Sequence, residues 1–178
     1  MTRAAGPHAD TGDTGARTFT AWVFDTADGA DLAVRRLLDG PTRAREAVED
    51  GATASWEEDA PRPRIQRRPE LTSDAALGGE FWDLVLGLTF RVPLLGAAVA
   101  GVAGAASGSL ADAGIDEGFM NRLRDTLTPG RSALLVLGSE VAGAALAVDV
   151  STGPERPDVV AAHLSPRQVA ALREVFLP

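Results

Sequence analysis

Residues 93–111 read PLLGAAVAGVAGAASGSLA, and how this stretch is covered decides how the rest of the chain is assembled. Twelve of the fourteen residues from Gly96 to Ser109 are Gly, Ala or Ser. Two ladders of small residues run through it at four-residue spacing: Ala97, Gly101, Ala105 and Ser109, and beside them Ala100, Gly104 and Gly108. On a helix that spacing lets two backbones approach closely and gain dispersion contacts. Each interior glycine costs a helix up to about 1 kcal/mol against alanine, so in water such a helix needs a cover. Nineteen residues at about 1.5 Å each give about 28 Å, near the hydrocarbon thickness of a bilayer. Leu94, Leu95, Val99, Val102 and Leu110 alone favour insertion strongly, at about −0.3 to −0.6 kcal/mol each. Glu80, Asp83 and Arg91 would make a two-span hairpin expensive. Packing against the same segment of other subunits is therefore the expectation, and membrane insertion or surface attachment the alternative. A purely intramolecular core is the third reading.

Upstream, Leu77, Phe81, Leu84 and Leu88 fall at helical spacing with Glu80 and Asp83 opposite, which predicts an amphipathic first arm over Ala75 to Phe90. Arg91-Val92-Pro93 breaks it, because proline clashes with a continuing helix. Together 75–111 reads as a helical hairpin projecting from the fold. Around it, ordinary periodicity holds. Phe19, Ala21 and Val23 share one face of a strand and Thr20, Trp22 and Phe24 the other. Thr26 or Asp28 can cap a helix that carries Leu32, Val34, Leu37 and Leu38 and ends near Gly40-Pro41. Residues 41–50 read as a connection or weak helix. Ala52–Glu57 and Arg62–Arg68 then form a hairpin whose second strand, holding Pro61 and Pro63, belongs at an edge. Asp116 caps a helix with Phe119, Leu123 and Leu127, and Ala133–Leu137 (ALLVL) suits a central buried strand. A short Ala-rich helix covers Val141–Val148, and Asp158–Leu164 is a strand. The last helix opens with Ser165 as N-cap, Pro166 and Gln168 as capping-box partner, and buries Val169, Leu172 and Phe176. The result is an α+β fold, a ferredoxin-like sheet-and-helix sandwich with an inserted glycine-rich helical hairpin. Residues 1–17 lack large apolar side chains and any secretory h-region, so they read as a disordered tail before a single domain over 18–178.

Leu77-Gly78-Gly79-Glu80-Phe81-Trp82, Leu86-Gly87-Leu88, Pro93-Leu94-Leu95-Gly96-Ala97-Ala98, Gly114-Ile115-Asp116 and Leu127-Thr128-Pro129-Gly130-Arg131-Ser132-Ala133-Leu134 follow one another in order. Through these strings the chain resembles the bacterial and archaeal family known as domain of unknown function 1269, over roughly 18–177 and most densely from 75 to 137. The resemblance implies an α+β domain with a glycine-zipper hairpin and an association with membranes, and brings no catalytic residue. The chain departs from that pattern at 41–50 and 140–157.

Catalytic signatures are sparse. The 178 residues include no cysteine, no lysine and no tyrosine, which excludes disulfides, thiolate zinc, thiol nucleophiles and a P-loop lysine. His8 and His163 are far apart, and the expectation for His163 is a partly buried ring with a hydrogen-bond partner. No metal and no cofactor are expected. Gly104-Ala105-Ala106-Ser107-Gly108 misses the spacing of a nucleophile elbow. Glu57-Glu58-Asp59 reads as a solvated turn, and Asp112 and Asp116 as helix caps, so an enzyme is not expected. Arg62, Arg64, Arg67 and Arg68 lie within seven residues and could meet phosphate headgroups or an acidic surface, or simply charge an edge strand against aggregation. With a net charge of −8 and no interleaved aromatics, nucleic acid is not an expected partner. The expectation is a non-enzymatic homo-oligomer, a scaffold or stress-related assembly, in the cytoplasm. The alternatives are a membrane-associated protein and a small-ligand or effector-binding module.

Overall fold

The computed structural model describes residues 15–40, 45–46, 48–74, 76–91 and 110–177. It is a mixed α/β protein built on one five-stranded antiparallel sheet. The apolar run Ser132–Gly138 forms β4, buried along its whole length because it lies inside the sheet with helices on both faces. Its neighbours are β1 (Arg17–Phe24) on one side and β2 (Val48–Ser55) on the other. Beyond them lie β5 (Asp158–Leu164) and the short β3 (Arg64–Arg67), giving the order β3-β2-β4-β1-β5.

Alternation along the strands divides the core in two. Phe19, Ala21 and Val23 face one side with Leu135, Leu137 and Val160; Trp22 and Phe24 face the other with Leu134 and Val136. The first side is covered by α2 (Gly79–Phe90), α3 (Glu117–Thr126) and α5 (Pro166–Phe176), the second by α1 (Gly29–Asp39) and α4 (Glu140–Ser151). The protein is therefore a three-layer sandwich. Phe19 is the hub of the first layer, with its ring 5.5 Å from Trp82, 5.2 Å from Phe119 and 6.0 Å from Phe81.

Several expectations hold to the residue. Asp116 Oδ1 accepts from the Phe119 amide at 2.8 Å, and the Ser165–Gln168 capping box is complete. The Pro-flanked β3 lies at a sheet edge.

Others are corrected. Arg17, assigned to the tail, belongs to β1, where Glu49 draws its guanidinium in. The second strand begins at Val48, four residues before the predicted Ala52; Glu49 and Asp50 hide it by interrupting the apolar pattern. Neither Thr26 nor Asp28 caps α1 with its side chain. Instead Ser132 Oγ, from β4, accepts from the Ala30 amide at 2.9 Å and donates to the Thr26 carbonyl at 2.6 Å. His163 is exposed, because β5 is an edge strand.

The first hairpin arm differs most. It packs into the core, and its polar side, Glu80 and Asp83, is narrower than the pattern suggests. Phe81, Trp82, Leu84, Val85 and Leu86 are all buried, in one cluster with Leu110, Ala113 and Ile115, and only Glu80 and Asp83 are exposed along α2. The second arm from Val92 to Ser109 lies outside the described residues.

Candidate functional site

A β-bulge brings a cluster of charged side chains together. In β2, Val48 pairs with Gly138 and Asp50 with Leu137, so Glu49 is one residue too many for its partner strand. The bulge turns both carboxylates toward the layer of α2 and α5. Glu49 accepts from Arg17 and, at 3.2 Å, from Arg173 of α5. The released Glu49 carbonyl accepts from the Ser73 amide at 2.9 Å.

Asp50 is fully buried, and nothing in the sequence marks it. Its Oδ1 accepts from the Gly51 amide at 2.9 Å, and its Oδ2 from the Gly78 amide at 3.3 Å. Gly78 sits at φ 92°, a left-handed position that suits glycine, and is the N-cap of α2. Asp50 thus supplies the anion at the positive end of α2, where a side-chain cap is missing. Arg67 stands 3.9 Å from the same carboxylate. Each carboxylate oxygen of the pair is held by N–H donors, which is the geometry of a structural clasp.

The four arginines that lie within seven residues of the sequence are divided by the fold. Arg68 turns to the α1 side, pairs with Asp31, and donates to Thr53 Oγ1 at 3.0 Å. Arg67 turns to the α2 side and Asp50. Arg62 and Arg64 remain exposed at the β3 edge, with no ion pair among the described residues. The split follows from strand alternation, which puts 67 and 68 on opposite faces.

A second hub was also unmarked in the sequence. Arg131, just before β4, donates to Asp25 and Asp158, both at 2.7 Å, joining the ends of β1 and β5. Burial works to lower its pKa, but the hydrogen bonds and charges of Asp158 and Asp25 outweigh this and raise it. Among the described residues no group of three His, Asp or Glu side chains is placed to hold a metal ion. No described helix is long and apolar enough to cross a membrane.

The small-residue interface expected at Ala97, Ala100, Gly101, Gly104, Ala105 and Gly108 lies outside the described residues. Its flanks are described: α2 ends at Arg91 in a left-handed cap, with Arg124 of α3 donating to the Thr89 carbonyl at 2.6 Å. Leu110 re-enters the core fully buried.

No curated protein and no solved structure matches this chain. A family match does exist, to "Protein of unknown function (DUF1269)", over residues 76–177. It begins at the entry to α2 and leaves out β1, α1 and the β2–β3 hairpin, so its reach is shorter than the resemblance suggested at the N-terminal side. It covers more than half of the chain and takes in the clasped start of α2, the Gly/Ala segment, the β4 strand and the capped α5. The chain therefore belongs to the DUF1269 family of proteins of unknown function.

Proposed function

We propose that this protein is a non-enzymatic, self-associating α+β protein whose copies are joined through the Gly/Ala-rich segment within residues 75–111. One observation carries this reading: residues 92–109 hold no charged side chain and two ladders of small residues, while their flanks, α2 and Leu110, are packed on a sheet already layered by helices on both faces. Close backbone packing between copies gives such a segment the cover it needs, at no cost in desolvated charge. The frame is ferredoxin-like. With β3 set aside, the strands run β2-β4-β1-β5 with α1 and α4 as crossovers on one face, which supports that topology.

A membrane-associated reading is favoured by one feature, the exposed Arg62 and Arg64 at the β3 edge, which form no ion pair among the described residues. The two readings part on a single variant. Gly101→Leu with Gly104→Leu places bulk where the ladders meet, and the oligomer should fall in mass by light scattering. Oligomer mass unchanged by the substitution sinks the ladder as interface. Flotation of the wild type with anionic liposomes, abolished by Arg62→Gln and Arg64→Gln, would instead establish the membrane reading.

A further inference from the structure

The chain contains three Asp-Gly pairs, Asp28-Gly29, Asp39-Gly40 and Asp50-Gly51, and the fold places them in three different settings. Asp-Gly is a sequence in which a chain can attack itself. The glycine amide nitrogen, unshielded by a Cβ, closes on the carboxyl carbon of the preceding aspartate once the backbone turns far enough to bring them together. In a folded chain the step depends on how firmly the pair is held. Asp50-Gly51 is held at every point. Both residues are buried in β2, and both carboxylate oxygens accept from amides. Gly51 is wedged against Leu71, and its carbonyl accepts from the Arg68 amide at 3.0 Å. Asp28-Gly29 opens α1. Asp28 is exposed, but its carbonyl accepts from the Leu32 amide at 3.0 Å and Gly29 is buried. A Cβ on Gly29 would stand 2.5 Å from that of Phe24 and 2.9 Å from Glu155 Oε2, so the backbone there has no room to turn.

Asp39-Gly40 closes the same helix and is held by little. The Asp39 side chain is exposed and makes no hydrogen bond or ion pair among the described residues. Asp39 is the last residue of α1, where its charge opposes the negative end of the helix dipole and the final turn frays. Gly40 is already extended, at φ −89° and ψ −173°. A Cβ on Gly40 would meet the Arg36 and Leu37 carbonyls of the preceding turn, at 3.1 and 3.8 Å, and no other element among the described residues. We infer that Asp39-Gly40 is a self-modification site, at which the folded chain converts aspartate to isoaspartate while Asp28 and Asp50 stay intact. The Gly40 nitrogen bonds to Asp39 Cγ and gives up its proton, and a carboxyl oxygen leaves as water, closing a succinimide. Water then adds to one of the two ring carbonyls. Cleavage of the bond from nitrogen to Cγ restores aspartate; cleavage at the main-chain carbonyl leaves isoaspartate, whose backbone runs through Cβ and Cγ. Only water is lost and regained, so the step needs no oxidant or other reactant. The oxygen leaves from the neutral carboxyl, so the reaction is faster in mildly acidic than in neutral buffer. The product carries one extra main-chain carbon between α1 and β2 and a free α-carboxylate beside Gly40. The inference does not rest on the self-association proposed above.

Unfolding supplies the control. The full chain is aged in mildly acidic buffer, folded and in parallel in urea, and each site is followed by peptide mapping. An Asp-specific endoprotease reads the result, because it cuts before aspartate and not before isoaspartate. Trypsin isolates Asp39 in the peptide Leu37–Arg43. In urea the three pairs should react at comparable rates, since each has the same two residues. In the folded chain Asp39 should stay within a few-fold of its urea rate, whereas Asp28 and Asp50 should slow at least about tenfold, because each must await local opening. Gly40→Ala should suppress the reaction at Asp39 and leave Asp28 unchanged. Asp39 protected by folding as strongly as Asp50 would overturn the proposal. So would Asp28 reacting in the folded chain as fast as Asp39, or isoaspartate at residue 39 that forms undiminished in Gly40→Ala.

Discussion

Two of the described helices are predominantly apolar, and the fold treats them oppositely. Helix α2 has bulky side chains, Phe81, Trp82, Leu84, Val85 and Leu86, and is enclosed by the sheet, Leu110, Ala113 and Ile115. Helix α4 has alanine and valine, encloses Leu146 and Val150, and leaves its other half in solvent. Apolar composition alone does not decide which helix is covered. Bulk does: large rings reach neighbours across a layer, whereas a small-sided helix gains little until another backbone comes close. The same logic separates α2 from the Gly/Ala ladder that follows it in the chain.

The contrast can be broken by substitution. Trp82→Ala should cost about 3–5 kcal/mol in urea unfolding, because it empties a site packed against Phe19 and Phe81. Val148→Ala on α4 should stay within about 0.5 kcal/mol. Equal losses would mean that α4 is as enclosed as α2.

Asp50→Ala sharpens the comparison at the start of α2. It leaves the Gly51 and Gly78 amides without their carboxylate and should cost about 1–3 kcal/mol. Hydrogen exchange should rise in the first turn of α2 and not in α4. A uniform rise would remove the clasp from the account. Ser165→Ala, which touches neither helix, sets the smallest scale. Loss of its capping box should cost about 1 kcal/mol, with faster exchange confined to the first turn of α5.

Much of the fold was legible where one local rule acts alone. The ALLVL run read as central because both its faces are apolar, and Ser165-Pro166 announced a helix start. Legibility failed where two segments distant in sequence complete one another. Asp50 looks like a loop residue until Gly78 closes on it. The cap of α1 comes from Ser132, more than a hundred residues away. The partners of the arginine run were not legible either: Asp31 and Asp50, on opposite faces, draw Arg68 and Arg67 apart. The few aromatic residues are gathered by the fold in a way their spacing does not announce: seven of the nine rings touch another ring, concentrated in the α2 layer and at its margin, where they do the filling.

The central claim is that the chain self-associates through its segment of small apolar residues. Light scattering on the purified chain in detergent-free buffer, across a concentration series, tests it most directly. The account predicts masses that are multiples of the 18.5 kDa chain and that fall on Gly101→Leu with Gly104→Leu. A mass of 18.5 kDa at every concentration would contradict it.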